Sequence, residues 1–327
     1  GLIRVSGDHW SAVLKLVGLG TGGHLLWQAG EAPEHWYYWC REVLAYRSGL
    51  LASFVGGLRA PTCYLVAERS DGSVALWLED LRAVTPATCW PLARYRRAAR
   101  HLGRAQGEFV VGRPLPEAAW LSRGCLWAYV AQRDADMALL EDDAAWETAL
   151  SRRFLSRAWA GPLLAMRKDQ ESFLRALERT PLTLCHLDLH PANLFGQGGE
   201  TVLIDWSFVG LGALGEDAGD LVPDALLDFH VRPEDADDLY RLVRQGYLEG
   251  LRDVGWAGSE ATVDLAMRAT IAAKYAWIAP AMLRAALDDR PSLNGRPIEE
   301  GFRCWARVIP FLLTCADEGR GLLSTAA

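Results

Sequence analysis

Two neighbouring segments constrain the fold of this chain. The first is His186-Leu187-Asp188-Leu189-His190-Pro191-Ala192-Asn193-Leu194-Phe195; the second, Thr201-Val202-Leu203-Ile204-Asp205-Trp206, comes after the turn Gly196-Gln197-Gly198-Gly199-Glu200. The apolar runs flanking the glycines read as a β-hairpin, because glycine supplies the positive-φ positions of a turn and the flanks are strand formers. Pairing Phe195 with Thr201 across that turn brings Asn193 and Asp205 to the same open end. An amide oxygen and a carboxylate meeting there form a hard-oxygen site suited to Mg²⁺. Asp188, on the loop before Asn193, is near enough to face a hydroxyl nucleophile while the other two hold the metal. Metal-assisted phosphoryl transfer needs that spacing.

His-Leu-Asp-Leu-His-Pro-Ala-Asn-Leu-Phe followed by Ile-Asp-Trp resembles the aminoglycoside phosphotransferase and choline kinase branch of the protein-kinase-like fold. In that branch the catalytic loop reads H-x-D-x-x-x-x-N and the second motif I-D-[WFY]. The resemblance implies Asp188 as catalytic base or hydroxyl-orienting group, and Asn193 and Asp205 as ligands of the Mg²⁺ carried by ATP (or GTP). His186 is expected to be structural, bonding backbone near Asp205, with His190 a loop residue. A rival reading takes His186, Asp188 and His190 as the metal cluster of a hydrolase, since alternate residues of an extended segment point the same way. Such a site needs further ligands, and the other histidines, His9, His24, His35, His101 and His230, stand singly without an HxH or HExxH pattern.

A second constellation lies near the start. Lysine occurs only at Lys15, Lys168 and Lys274, so a lysine in the apolar strand Val13-Leu14-Lys15-Leu16-Val17 is unlike casual surface. Glu42 shares a helical stripe with Trp39, Val43 and Tyr46, which puts a carboxylate on an apolar face where it needs a cation. Lys15 and Glu42 are therefore candidates for the strand-lysine and helix-glutamate pair that kinases of this kind use to hold the α- and β-phosphates. Leu76-Trp77-Leu78-Glu79-Asp80-Leu81 resembles the family's hinge, in which backbone at Glu79, Asp80 and Leu81 would bond adenine. Gly18-Leu19-Gly20-Thr21-Gly22-Gly23 matches GxGxxG after a strand, but a dinucleotide site needs a helix to open at once, and Gly30 and Pro33 break the next segment. It reads as a connection between the Lys15 strand and the Glu42 helix. Only fourteen residues precede Lys15, too few for a strand, a glycine-rich phosphate loop and a second strand. Either the protein extends upstream or this lobe lacks that cover; Gly7-Asp8 reads as a turn.

At 327 residues the chain can form two lobes, since single cores stop growing near about 250–300 residues. Residues 1 to about 80 read as a nucleotide-binding lobe of strands with one helix: strands at Ile3 to Val5 and Ser11 to Val17, a helix from Pro33 to Leu51, and a hairpin of Tyr64 to Glu68 with Val74 to Leu78 around Ser70-Asp71-Gly72. Residues 81 to 327 read as a helical catalytic and substrate lobe. Leu92, Tyr95, Ala99, Leu102 and Ala105 recur at helical spacing, as do Phe154, Trp159 and Leu163 more loosely, and long helices fill Ala236 to Arg252, Ala261 to Leu287 and Gly301 to Leu313. Asp288 to Pro297 reads as a polar loop. The expected fold class is α+β, a bilobal protein-kinase-like fold with a small antiparallel sheet and a larger helical part.

No apolar run approaches the ~20 residues of a membrane span, and no stretch reads as the basic, apolar, small-residue pattern expected of a secretion signal. The seven cysteines are scattered without CxxC, as in a cytoplasmic protein with reduced thiols. A net charge of -7 disfavours nucleic acid as partner. After Trp206, the segment with Gly210, Gly212, Gly215, Asp217 and Asp220 resembles the short stretch that replaces an activation loop in small-molecule kinases. The resemblance thus implies an ATP- and Mg²⁺-dependent kinase of a hydroxyl on an aminoglycoside-, choline- or sugar-like molecule. The acceptor is expected between Asp188 and the C-terminal helices, with Asp220, Asp224, Asp228, Tyr275 and Trp277 as contacts. A catalytically silent nucleotide-binding module is the alternative from another class.

Overall fold

The computed structural model describes residues 1–20, 28–81 and 84–326. It forms two compact units: Gly1–Cys125 with Leu182–Gly212 and Gln245–Ala257, and Leu126–Pro181 with Ala213–Arg244 and Gly258–Ala327.

The first unit contains, in chain order, β1 (Leu2–Ser6), β2 (Ser11–Val17), α1 (Arg41–Arg47), β3 (Leu58–Arg59), β4 (Cys63–Glu68), β5 (Val74–Glu79), β6 (Thr85–Pro86), α2 (Leu92–Val111), β7 (Ser122–Arg123), β8 (Leu182–Cys185), β9 (Leu194–Gln197), β10 (Glu200–Leu203) and β11 (Gly210–Ala213). An antiparallel sheet runs β1-β2-β5-β4. On β2 the period of two sends Val13 and Val17 onto Val43, Leu76 and Leu78, and Lys15, between them, faces the same way. The Glu42 helix packs under this sheet through Val43, which is fully buried.

The expected helix from Pro33 to Leu51 is much shorter in the structure: α1 spans Arg41–Arg47, and a 3₁₀ turn, Leu50–Ser53, comes after Gly49 at φ 74°. The carbonyls of His35 and Trp36, which a longer helix would use internally, instead accept hydrogen bonds from the Arg41 guanidinium at 2.7 and 2.9 Å. Gly30 and Tyr38 form an isolated bridge that draws the same segment away from helical pairing. The glycine-rich segment 18–23 lies outside the described residues from Thr21 onward.

A second sheet runs β3-β10-β9-β6 and contains the central hairpin. Its register differs by one from the expected pairing: Val202 opposes Phe195 and Thr201 opposes Gly196. The reason is the turn, where Gly198 and Gly199 both adopt positive φ, 55° and 95°, and close a two-residue loop whose twist matches the strands. The open end is preserved, because Ile204 N donates to Asn193 O at 3.0 Å.

Tyr95, Ala99, Leu102 and Ala105 form the buried stripe of α2. Along another line this helix meets segment 245–253 at backbone distance: a Cβ on Gly103 would strike the Tyr247 carbonyl, and one on Gly250 the Arg100 carbonyl.

The second unit is mainly helical. The run expected over Ala261 to Leu287 is two helices, Glu260–Lys274 and Ile278–Leu287. Pro280 stands in the first turn of the second of these, where its missing N–H costs no intrahelical bond, which fits a new helix opening just before it. Phe154, Trp159 and Leu163 fall on three pieces, Ala149–Phe154, Arg157–Trp159 and Ala160–Lys168, and the last helix, Ile298–Ala326, continues well beyond Leu313. Residues 288–297 form a loop with a small hairpin, Ser292–Leu293 against Arg296–Pro297. Among the described residues no helix is long and apolar enough to cross a membrane.

Candidate active site

Lys15 Nζ lies 2.6 Å from Glu42 Oε2 and 2.9 Å from Asp205 Oδ1, so three elements distant in sequence converge on one ammonium. Glu42 is almost fully buried, and its Oε1 also accepts a hydrogen bond from Trp206 N at 3.3 Å. Burial alone would lower the Lys15 pKa, but Glu42 and Asp205 outweigh it and hold the ammonium firmly charged. Burial likewise pushes the Glu42 carboxyl up, with Lys15 opposing. For Asp205 the partial loss of solvent from its carboxylate is overcome by Lys15 and by the Ser207 hydroxyl, which donates to Oδ1 at 2.5 Å, and the pKa falls to about 2.

Asp205 comes just after β10 in the left-handed region, at φ 60°, and its side chain is 42% exposed. That backbone turn separates its carboxylate from the strand and starts the single turn Trp206–Phe208. Trp206 anchors the bend from inside: its Nε1 donates to Leu203 O at 2.8 Å, Phe54 stacks on it at 5.0 Å, and His186 meets it edge-on at 4.8 Å.

On the facing loop Asn193 is buried, and its Nδ2 donates to Asp188 O at 3.0 Å, which fixes the loop and leaves the amide oxygen for another partner. Asp188 keeps a side chain 35% exposed, 3.9 Å from His190 Nε2. His186 Nε2 hydrogen-bonds Ile204 O at 2.9 Å, and burial pushes its pKa to about 4, so it is a neutral strut between loop and hairpin. The hydrolase grouping is not formed. Leu187 sits at φ 66°, so the segment is not extended, and His186 is turned to Ile204 O while Asp188 and His190 lie near each other. Among the described residues no three His, Cys, Asp or Glu side chains gather as a metal centre.

At the end of β5, Glu79 donates its N–H to Thr62 O at 2.9 Å and binds Arg59 through both carboxylate oxygens, at 2.7 and 2.9 Å. Asp80 Oδ1 accepts from Arg4 at 3.0 Å. Leu81 is buried with Val84 and Val202 in a small apolar cluster. The connection beyond it, residues 82 and 83, lies outside the described residues.

Three residues that sequence patterns did not single out belong here. Arg41 is wholly buried, and its guanidinium donates to the carbonyls of His35, Trp36, Trp120 and Ser207 at 2.7, 2.9, 2.8 and 2.9 Å. Burial lowers its pKa to about 10, still cationic near neutrality. It thereby ties the Glu42 helix to the loop that carries Asp205. Ser207 stands two residues beyond Asp205, the spacing at which Ser73 also donates to Asp71 in this chain. Tyr37 stacks on Phe208 at 5.0 Å with planes 15° apart, and burial followed by the charge of Asp205 raises its phenol pKa. The aromatic run from His35 to Trp39 was its signal.

The five expected acceptor contacts all lie in the second unit. Asp220 and Tyr275 are interior residues rather than exposed contacts: the tyrosine hydroxyl donates to Asp220 Oδ1 at 2.6 Å, and Lys274 Nζ bonds the same oxygen. They tie helix Glu216–Leu227 to the end of Glu260–Lys274. Asp224 is 4.0 Å from Lys274, and burial drives its carboxyl well up despite that cation. Asp228 Oδ1 accepts from Asn294 at 2.8 Å. Trp277 is half-buried beneath the Arg133 guanidinium, 4.2 Å from its ring centroid.

Residues 47–258 match the family described as "Phosphotransferase enzyme family", APH. No curated protein matches the chain in sequence. Among solved structures the chain is similar to an amicoumacin kinase, hAmiN, in complex with AMP-PNP, Ca²⁺ and Ami, at 13% identity over 96% of this chain and 88% of that one, TM-score 0.55. An aminoglycoside phosphotransferase from Alicyclobacillus acidocaldarius is similar at 14% identity over 99% and 92%, TM-score 0.55. A choline/ethanolamine kinase family protein from Mesorhizobium loti is similar at 14% over 98% and 92%, TM-score 0.50. These likenesses are of fold, and the fold is the one expected: protein-kinase-like, with an antiparallel amino-terminal sheet and a mainly helical remainder.

Proposed function

The chain belongs to the APH phosphotransferase enzyme family, and from that premise we propose that it transfers the γ-phosphoryl group of ATP to a hydroxyl of a small molecule, with Mg²⁺. The observation that carries the reading is the Lys15 ammonium bound by both Glu42 and Asp205, in the same compact unit as the Asp188 to Asn193 loop. Mg·ATP, when bound, supplies the electrophilic phosphoryl group and the metal charge that stabilises its transfer. The residues present fit that metal: Asn193 offers an amide oxygen, since its nitrogen is turned to Asp188 O, and Asp205 offers an ionised, partly exposed carboxylate. Lys15, positioned by Glu42, binds phosphate oxygens. Asp188 orients the acceptor hydroxyl and takes its proton as the new P–O bond forms and the β–γ bridge breaks.

The acceptor class in this reading is an aminoglycoside-, choline- or sugar-like alcohol, and Asp224, Asp228 and Trp277 of the second-unit group are the contacts to test first. A cytoplasmic setting is part of this reading, in keeping with seven cysteines scattered without a CxxC pair.

The test is ATP consumption screened against aminoglycosides, choline, amino alcohols, macrolides and sugars, repeated with Asp188→Asn. The variant should bind nucleotide as the parent does while turnover falls by about 10²–10⁴-fold. Undiminished turnover would remove Asp188 from the chemistry.

A further inference from the structure

The candidate active site uses the open end of the β9–β10 hairpin. The closed end, at Gly196 to Gly199, forms one wall of a separate cavity of about 370 Å³ whose other wall is Thr85, Trp90 and the first turns of α2. Two arginines one helical turn apart, Arg94 and Arg97, line it, and among the described residues no acidic one does.

The remaining arginines of this stretch of α2 are treated differently. Arg96 is paired with Glu249, and Arg100 and Arg104 with Asp253. Nearby Arg59 is held by Glu79 and Glu200. Among the described residues no carboxylate pairs with Arg94. Its guanidinium lies 4.7 Å from the Trp90 ring centroid, its Nη2 bonds the Glu200 carbonyl, and its Nη1 is buried with no hydrogen-bond partner among the described residues. Burial and the neighbouring charge of Arg97 both lower its pKa. Gly196 makes room for it, since a Cβ there would stand 2.9 Å from Arg94 Nη2. In a chain of net charge -7, a cavity lined by two arginines and, among the described residues, by no acid is complementary to an anion.

We propose that this cavity is an oxyanion site, in which Arg94 and Arg97 bind the phosphate group of a small phosphorylated metabolite, or inorganic phosphate, against the hairpin turn. Guanidinium suits such a ligand because its planar fork offers paired N–H donors to two oxygens at once. The stacking of Arg94 on Trp90 preorganises the fork. The ligand would bridge α2 and the tip of the hairpin. That hairpin begins at Leu194, directly after Asn193, and ends at Leu203, just before Ile204 and Asp205. Occupancy should therefore stiffen the element that carries both candidate metal ligands.

The experiment is calorimetric titration of the full chain with inorganic phosphate and, separately, with glycerol 3-phosphate at constant ionic strength. It compares the parent with Arg97→Gln, with Arg94→Gln/Arg97→Gln and with Lys15→Met. Hydrogen exchange over residues 196–200 is measured in parallel. Affinity should fall at least tenfold in the double variant, fall partly in Arg97→Gln, whose side chain is exposed, and survive in Lys15→Met, while exchange at the turn slows on binding. Tighter binding of the monoester assigns the site to a phosphorylated metabolite, and equal binding assigns it to the phosphate group alone. Loss of binding in Lys15→Met instead would put the anion at the nucleotide site and overturn the proposal. So would equal affinity in parent and double variant, or no binding at all.

Discussion

Replacing Lys15 by methionine keeps most of the aliphatic stem and removes the charge, so its consequences are chiefly electrostatic. The ammonium stands 2.6 Å from Glu42 Oε2, and the Glu42 side chain is only 2% exposed. Without Lys15 that carboxylate keeps the Trp206 N–H at 3.3 Å but loses its cation. Removing one member of a buried pair costs about 3–5 kcal/mol. The lysine side chain itself is 22% exposed and therefore partly screened, which places the expected loss near ~3 kcal/mol. Glu42→Gln alone leaves Lys15 with Asp205 at 2.9 Å, and about 1–2 kcal/mol is expected. In Lys15→Met/Glu42→Gln no charge is stranded, so the double variant should be more stable than Lys15→Met by about 1–2 kcal/mol. The pH dependence carries the same sign. Burial raises the folded-state pKa of Glu42, and removing Lys15 raises it further. Such a group stabilises fully below its unfolded pKa and loses that contribution as pH rises through the folded value. Lys15→Met should therefore be less destabilised at pH 5 than at pH 8, and the double variant should lack that difference. Denaturant unfolding at both pH values reads this directly. Strictly additive losses, independent of pH, would refute the buried pair.

Arg41→Lys keeps the buried charge but cannot span four carbonyls, so a loss of about 2–4 kcal/mol is expected in denaturant unfolding; an unchanged midpoint would show that Arg41 does not brace the Asp205 loop. Asp205→Asn should weaken nucleotide binding in Mg²⁺ far more than in its absence, and calorimetry giving equal ratios for variant and parent would contradict its role at the metal. Glu216, in the second unit, is pushed up to about 7 by burial despite the hydrogen bond from Ala213 N at 2.9 Å. Its folded-state pKa is raised, so its contribution is complete in mild acid and is lost as pH rises through 7. Glu216→Gln should remove up to about 3 kcal/mol of stability difference between pH 5 and pH 8, and melting curves with the same pH slope as the parent would count against it.

What the sequence determined is local. The paired glycines demand a tight hairpin, Asn193 and Asp205 must then share its open end, and the alternation in β2 sends Lys15 to the face of Val13 and Val17. Period and turn chemistry act over a few residues and can be read without knowing what lies opposite. The same local rules also misled where a distant group intervened. Pro33 to Leu51 has the pattern of one helix, but Arg41 takes the carbonyls of His35 and Trp36 out of it. The hairpin register moved by one residue because two positive-φ glycines, rather than the longest loop, set the closure.

Only the tertiary structure decided which charges meet. Asp220 and Tyr275 look in sequence like polar groups free for a ligand, but Lys274 and the packing of two helices enclose them. Arg41 carries no signal at all, because its partners are main-chain carbonyls at His35, Trp36, Trp120 and Ser207, and any residue type has a carbonyl. The physical reason is common to both cases: a buried charge is stable only where the rest of the chain supplies its partners, and those partners come from segments that sequence spacing does not relate.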